Sequence, residues 1–139
     1  MTRSTTPMYS RLLLTGAAGG LGRELRPRLK SRCDVLRVSD LGNLGNADPG
    51  EEVMPAALQD RPAVFKLLEG VDAVVHLGGI STEQPFDDIV QANIIGAYNL
   101  YEGARMHGTR RIVFASSNHV TGFYRQDEVI DATMPVRPD

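Results

Sequence analysis

Short apolar runs alternate along the chain with stretches whose apolar residues recur every three or four positions, the pattern of strands alternating with helices. Leu12-Leu13-Leu14 marks a first strand over 11–15, and Leu21, Leu25 and Leu29 recur at spacing four on one face of a helix over 20–31. Pro27 lies inside that helix and predicts a kink or local break there. A second strand is expected over 34–39, around Val35-Leu36-Arg37-Val38, and a weak third over 52–55, where Pro55 suits only an edge. Pro62 opens a helix over 61–68 that packs Val64, Phe65, Leu67 and Leu68. Ala73-Val74-Val75 marks a fourth strand over 71–77, and Ile112-Val113-Phe114 a fifth over 111–116.

The longest helix is expected over 85–107. Val90, Ile94, Ala97, Tyr101 and Ala104 form one line along it, while Ile95 and Tyr98 lie off that line. A helix apolar on two sides needs a sheet and a further partner. Strict alternation of strands and helices specifies parallel βαβ units. The fold class is therefore α/β: a Rossmann-type doubly wound parallel sheet in three αβα layers, truncated after five strands, with strand order 3-2-1-4-5. That order leaves Ile112-Val113-Phe114-Ala115 as an exposed apolar edge prone to aggregation. From Val120 onward the period is lost and Asp127, Pro135 and Pro138 enter. Residues 120–139 read as an irregular tail, and 1–139 as one domain incomplete at its C-terminal side.

The first strand runs directly into a turn with Gly16, Gly19 and Gly22, and Asp40 closes the second strand 18 residues after Gly22. Gly16 permits a tight turn, Gly19 lets a pyrophosphate approach, and Gly22 lets the next helix pack close to the sheet. The diphosphate then faces unpaired N–H groups at the helix start. A carboxylate after the second strand accepts hydrogen bonds from ribose hydroxyls and repels a 2′-phosphate, so Asp40 points to NAD rather than NADP. A glycine-rich turn without a ligand is the bland alternative. The preceding strand, the following helix and the spaced acid weigh against it.

Composition narrows the function classes. The 139 residues are 42% hydrophobic and 23% charged, which suits one globular core. A formal charge of −2 gives no electrostatic case for nucleic acid or an anionic membrane. Arg23, Arg26, Arg28, Lys30 and Arg32 cluster on the first helix and read as a solvated face. The start of the chain, Met1 to Ser10, lacks the apolar core of a signal peptide, and no apolar run approaches the roughly 20 residues that span a bilayer. A cytoplasmic protein is expected. A single Cys33 rules out an internal disulfide, and His76, His107 and His119 have no metal-ligand spacing, so no metal site is expected.

GAAGGLG with Asp40, then His76-Leu77-Gly78-Gly79, Asn93 in the long helix, and Phe114-Ala115-Ser116-Ser117 together resemble the extended short-chain dehydrogenase/reductase family. Within it, HLGGIS, NIIGAYNLYEGAR and RIVFASSNH look like the uronate dehydrogenases, across nearly the whole chain from Arg11. The resemblance implies NAD-dependent oxidation of a small sugar acid, galacturonate or glucuronate, to its aldarolactone. Carried over by position, Gly16, Ala18, Gly19, Gly20, Leu21 and Gly22 would hold the pyrophosphate, and Asp40 and Leu41 the adenosine ribose region. Leu58 would contact the adenine, while Leu77, Gly78 and Gly79 would line the nicotinamide half and Ser116 would stand beside the cofactor. Asn93 would support the active-site hydrogen-bond network. Ser117 would be the catalytic serine, with Ser81, Asn118 and His119 near the sugar acid. Each has a plainer reading: Ser116 and Ser117 as backbone caps, His119 as a structural histidine, Asn93 as a solvent-facing helix residue, Gly78-Gly79 as an ordinary turn.

Two departures matter. Where the family has Asp-Leu after the third strand, this chain has Ala57-Leu58, a loss of one hydrogen bond to adenine on the order of 1 kcal/mol. The family's Tyr-x-x-x-Lys pair would follow shortly after Arg137-Pro138-Asp139. Tyr98, Tyr101 and Tyr124 are no substitutes, because Glu102, Arg105 and Glu128 stand four positions later. A tyrosine without a neighbouring cation is a poor base at neutral pH. The chain is expected to be the cofactor-binding half of the enzyme, inactive or nearly so by itself. An oligomer through the long helix is implied by the family but weakened by the absent partner helix. Rival readings are part of a sugar-nucleotide epimerase or dehydratase, and a noncatalytic NAD-binding module.

Overall fold

In the computed structural model, which describes residues 7–139, five parallel strands form one sheet in the order β3-β2-β1-β4-β5. The strands are β1 (Tyr9–Thr15), β2 (Cys33–Ser39), β3 (Glu51–Val53), β4 (Ala73–His76) and β5 (Arg111–Phe114). Between them lie α1 (Gly20–Leu29), α2 (Arg61–Leu68), α3 (Phe86–Ile89) and α4 (Gly96–His107). A π-helical stretch, Val90–Ile95, joins α3 to α4 into one long helix over 86–107. The topology is the one expected from the alternating pattern. The reading of the first ten residues rests partly on residues 1–6, which lie outside the described residues.

The apolar run of β1 is buried on both faces because it is the central strand. Leu13 points to one side, packing with Val74, Val64, Leu67, Leu68, Leu100 and Ala104 from β4, α2 and α4. Leu12 and Leu14 point to the other, with Leu36 and Val38 from β2 and Leu29 of α1. Helices thus cover both faces, giving the three αβα layers.

Several local expectations are corrected. The helical assignment of α1 passes through Pro27 without a break and ends as a 3₁₀ turn, Lys30–Arg32. Of the expected leucine line, Leu29 packs half-buried against the core and Leu25 is half-buried, but Leu21 is 60% exposed, and Gly22 is the buried residue of that turn. On α4 the buried side is Gly96, Asn99, Leu100, Gly103 and Ala104, whereas Ile94 and Tyr101 of the expected line are 61% and 47% exposed. A Cβ on Gly103 would lie 2.6 Å from Leu68 Cδ1, so the small residues let α4 settle onto α2. β5 is an edge as expected, with Val113 and Phe114 exposed.

The basic cluster is only partly a solvated face. Arg26 donates to both carboxylate oxygens of Glu51 (3.0 and 2.7 Å) and to the carbonyls of Leu44 and Asn46, and Lys30 pairs with Asp48 (2.6 Å). The Glu51 side chain is fully buried, and its hydrogen bond from Arg26, with further donation from Asp48 N–H and Lys30, holds its carboxyl at about 2 against desolvation. On β2, Arg37 is also buried; it donates to Glu52 (2.7 Å) and to the Leu67 carbonyl (2.6 Å) that ends α2.

Glu51 generates an acid-sensitivity prediction. Its folded pKa lies below the unfolded value, so its stabilisation is complete above about pH 4.5 and lost as pH falls toward 2, a change of at most about 3 kcal/mol. Urea denaturation across that window should show Glu51→Gln less stable than wild type at pH 7 and nearly level with it at pH 2. A constant gap across the window would refute the ion-pair account.

Candidate active site

Because the strands are parallel, the loops that leave their C-terminal ends gather on one side of the sheet. They line a cleft of about 950 Å³, a volume within the range of small-molecule sites (~300–1,000 Å³). The strand order reverses between β1 and β4, where an open parallel sheet leaves a crevice for a ligand.

The β1–α1 turn forms its floor. Gly16 has φ +69°, and a Cβ there would stand 2.6–2.7 Å from the backbone of Leu77 and Gly78. A Cβ on Gly22 would lie 2.1 Å from the Gly16 carbonyl oxygen and 2.7 Å from Ala17 Cα. Helix α1 therefore starts against the end of β1, with no room for a side chain. Its N-cap, Gly19, supplies no capping side chain, and its first turn has no acidic residue. The N–H groups of Gly20, Leu21 and Gly22 have no acceptor among the described residues. Three unpaired donors at the positive end of a helix suit an anion, and a diphosphate fits that chemistry.

Asp40, at the end of β2, turns one carboxylate oxygen to Ala18 N–H (2.9 Å) and the other to Gly42 N–H (2.8 Å). The bonds fix its position at the cleft and leave each oxygen a lone pair for a further donor. Thr15 and His76 meet side by side at the ends of β1 and β4. Gly78 N–H donates to Thr15 Oγ1 (3.2 Å), and the same oxygen shares a 2.6 Å hydrogen bond with His76 Nδ1, a bond that a neutral imidazole can make in either tautomer. Burial agrees, pushing the His76 pKa down to about 4. Asn93 lies in the π-helical stretch and brackets Ile80, accepting from its N–H (2.7 Å) and donating to its carbonyl (2.8 Å). Irregular helical turns of this type recur at functional sites.

The structure brings Gly16, Ala18, Gly19, Gly20, Leu21, Gly22, Asp40, Leu41, Leu58, Leu77, Gly78, Gly79 and Ser81 to this one cleft. Asn93 stands behind its wall. Ser116, Ser117, Asn118 and His119 do not line it; they are exposed beyond β5, where Ala115 is the last residue to reach the cleft. Ser117 Oγ accepts from His119 N–H (3.2 Å) at the start of a 3₁₀ turn, Asn118–Thr121, that runs into the first residues of the expected irregular tail. His119 Nδ1 lies 2.7 Å from an Asp139 carboxylate oxygen. The cleft also includes residues not anticipated from sequence, among them Thr15, Gly42, Gln59 and Ile80. Asp40-Leu41-Gly42 carried a readable signal, an aspartate whose side chain bonds the backbone two residues on; Gln59 and Ile80 carried none. Among the described residues no cluster of potential metal ligands exists. No helix of the described chain is long and apolar enough to cross a membrane.

Residues 12–139 match the family described as "NAD dependent epimerase/dehydratase family". The chain belongs to that family. It is 57% identical over 136 residues to the uronate dehydrogenase of Pseudomonas putida, covering 97% of this chain and 51% of that protein. The crystal structure of uronate dehydrogenase from Agrobacterium tumefaciens superposes with a TM-score of 0.90 at 54% identity, covering 95% of this chain and 50% of that one. A tyrosine-to-alanine mutant of that enzyme complexed with NAD gives a TM-score of 0.89 at 54% identity, over 94% of this chain and 49% of that one. The chain spans about half the length of the relatives it matches.

The Gly22 contact makes a direct prediction for this family member. Gly22→Ala should push α1 away from β1 and lower stability by about 2 kcal/mol, in the range of overpacked core substitutions. Gly20→Ala, where a Cβ meets nothing within 4 Å, should be close to neutral. Urea denaturation of the pair checks the contrast, and equal effects would contradict the close-approach argument.

Proposed function

We propose that these 139 residues are the cofactor-binding half of a uronate dehydrogenase, an enzyme that oxidises galacturonate or glucuronate to its aldarolactone with NAD. The observation that carries the reading is the Asp40 carboxylate, held by Ala18 and Gly42 beside a helix start with unpaired donors. In this reading Gly16, Ala18, Gly19, Gly20, Leu21 and Gly22 receive the diphosphate. Asp40 and Leu41 take the adenosine ribose, Leu58 the adenine, and Leu77, Gly78, Gly79 and Ser116 border the nicotinamide. NAD, when bound, accepts a hydride. The likeness to uronate dehydrogenases at 53–57% identity supports the sugar-acid substrate.

Within the chain, Ser117 is the catalytic serine: its hydroxyl hydrogen-bonds the reacting hydroxyl of the sugar and orients it. Ser81, Asn118 and His119 contact the sugar acid, and Asn93 positions the loop at 80. Ser117 and His119 now bond each other and Asp139, so those bonds rearrange when a substrate is held. None of the four tyrosines has a lysine four positions later. The proton acceptor therefore lies outside these residues, and hydride transfer belongs to the whole enzyme.

That same absence favours one rival reading, a noncatalytic NAD-binding module, and two measurements separate the cases. Fluorescence titration should show NADH binding with NADPH at least tenfold weaker, and Asp40→Ala should narrow the difference; equal affinities in the wild type would overturn the role of Asp40. A spectrophotometric assay with galacturonate and NAD should show no appreciable turnover by these 139 residues and clear turnover once a segment bearing a Tyr-x-x-x-Lys pair is joined. Turnover without that segment, abolished by Ser117→Ala, would sink the assignment of the proton acceptor. Absence of turnover with it would favour the module.

A further inference from the structure

The wall of the cleft at 56–59 follows β3, the edge strand, and its side chains are poor in recognition chemistry. Ala56, Ala57 and Leu58 carry no polar side-chain atom. Recognition at this end therefore falls on the backbone and on Gln59. Backbone groups discriminate between ligands only when they are held still. The Leu58 N–H has no acceptor among the described residues, so it is free for a ligand.

What holds this wall comes from another element. Asn99, on α4, is only 2% exposed, an unusual place for an amide in a helix interior. Its Nδ2 group donates to the Leu58 carbonyl (3.0 Å) and the Gln59 carbonyl (3.3 Å), consecutive residues of the wall. One turn earlier, Gly96 is buried, and a Cβ there would meet Leu58 Cβ at 2.6 Å. Two residues of one helix thus set the position of Leu58, one by attraction and the other by leaving room. The wall's own ties are the Ala57 carbonyl accepting from Asp60 N–H (3.0 Å) and Asp60 capping α2 at Ala63 N–H (3.1 Å). Neither fixes the carbonyls of 58 and 59.

We propose that Asn99 is a positioning residue for ligand recognition: by fixing the Leu58–Gln59 backbone from α4 it aims the free Leu58 N–H, and it acts on the adenosine end of the ligand alone. The proposal rests on the dinucleotide reading of the cleft and adds to it a residue that touches no ligand. Loops 77–79 and 80–81 take their polar ties from Thr15 and Asn93, and the Leu58 side chain meets Gly78 only as an apolar neighbour, so the hydrogen bonds that hold the nicotinamide end do not pass through Asn99.

The test compares whole and half ligands. Asn99→Leu keeps the volume without a donor. Gly96→Ala raises helix propensity while pressing on Leu58, so it remains foldable if the first variant is not. Both variants should weaken NADH and ADP-ribose about tenfold while leaving reduced nicotinamide mononucleotide within twofold, read by fluorescence and NMR titration. Equal weakening of all three ligands, or of none, would overturn the proposal. If the wild type binds neither NADH nor ADP-ribose, the dinucleotide reading itself fails. Backbone ¹⁵N relaxation then decides Asn99: increased motion at 57–60 with none at 77–81 in Asn99→Leu upholds its hold on the wall, and unchanged order at 57–60 refutes it.

Discussion

The close approach of helix α1 to the end of strand β1 is the constraint on which the rest of the structure depends. A Cβ at 22 would fall 2.1 Å from the carbonyl oxygen of residue 16, and one at 16 would enter the backbone of Leu77 and Gly78. Two glycines at that corner let three chain segments meet at van der Waals distance. The meeting puts the uncapped start of α1 at the C-terminal edge of the sheet, next to the ends of β2 and β4. A helix start with unpaired N–H donors beside a fixed carboxylate is then a consequence of packing and needs no separate device.

Around that corner, single polar ties hold each loop of the cleft. Asp40 joins the β2 end to the glycine turn, Thr15 joins the β4 end to β1, Asn93 holds Ile80, and Asn99 holds Leu58 and Gln59. Most are half-buried side chain to backbone bonds, each worth about 1 kcal/mol net but costly to leave unmade. Two of them come from the long helix, Asn93 from within the π-helical stretch and Asn99 from the first turns after it. The helix that covers the sheet therefore also shapes both ends of the cleft.

The strand order, the glycine turn and the carboxylate at 40 were legible in the sequence because each has a local cause. Apolar runs bounded by turns mark buried parallel strands, and an acid after the second strand has a place only at its end. The buried face of the long helix was not legible. Counting large apolar residues selected Ile94 and Tyr101, yet the buried stripe is Gly96, Asn99, Leu100, Gly103 and Ala104. Small residues win there because they bring α4 onto α2, and the π-helical stretch shifts the phase that a 3.6-residue period assumes. Arg26 and Lys30 misled in the opposite sense, since their partners Glu51 and Asp48 are distant in sequence and nothing local announces the pairing. The residues after β5 were read through likeness to a family, and here they bond one another outside the cleft.

The glycine corner, Asp40 and the 77–79 loop are proposed to form one dinucleotide cleft. Amide chemical-shift mapping with NAD tests it most directly. Binding should shift the backbone amides of Ala18, Gly20, Leu21 and Gly22, together with those of Gly42, Leu58 and Gly78, and leave those of 123–134 unmoved. Shifts confined to the exposed segment beyond β5, or none at saturating NAD, would contradict the account.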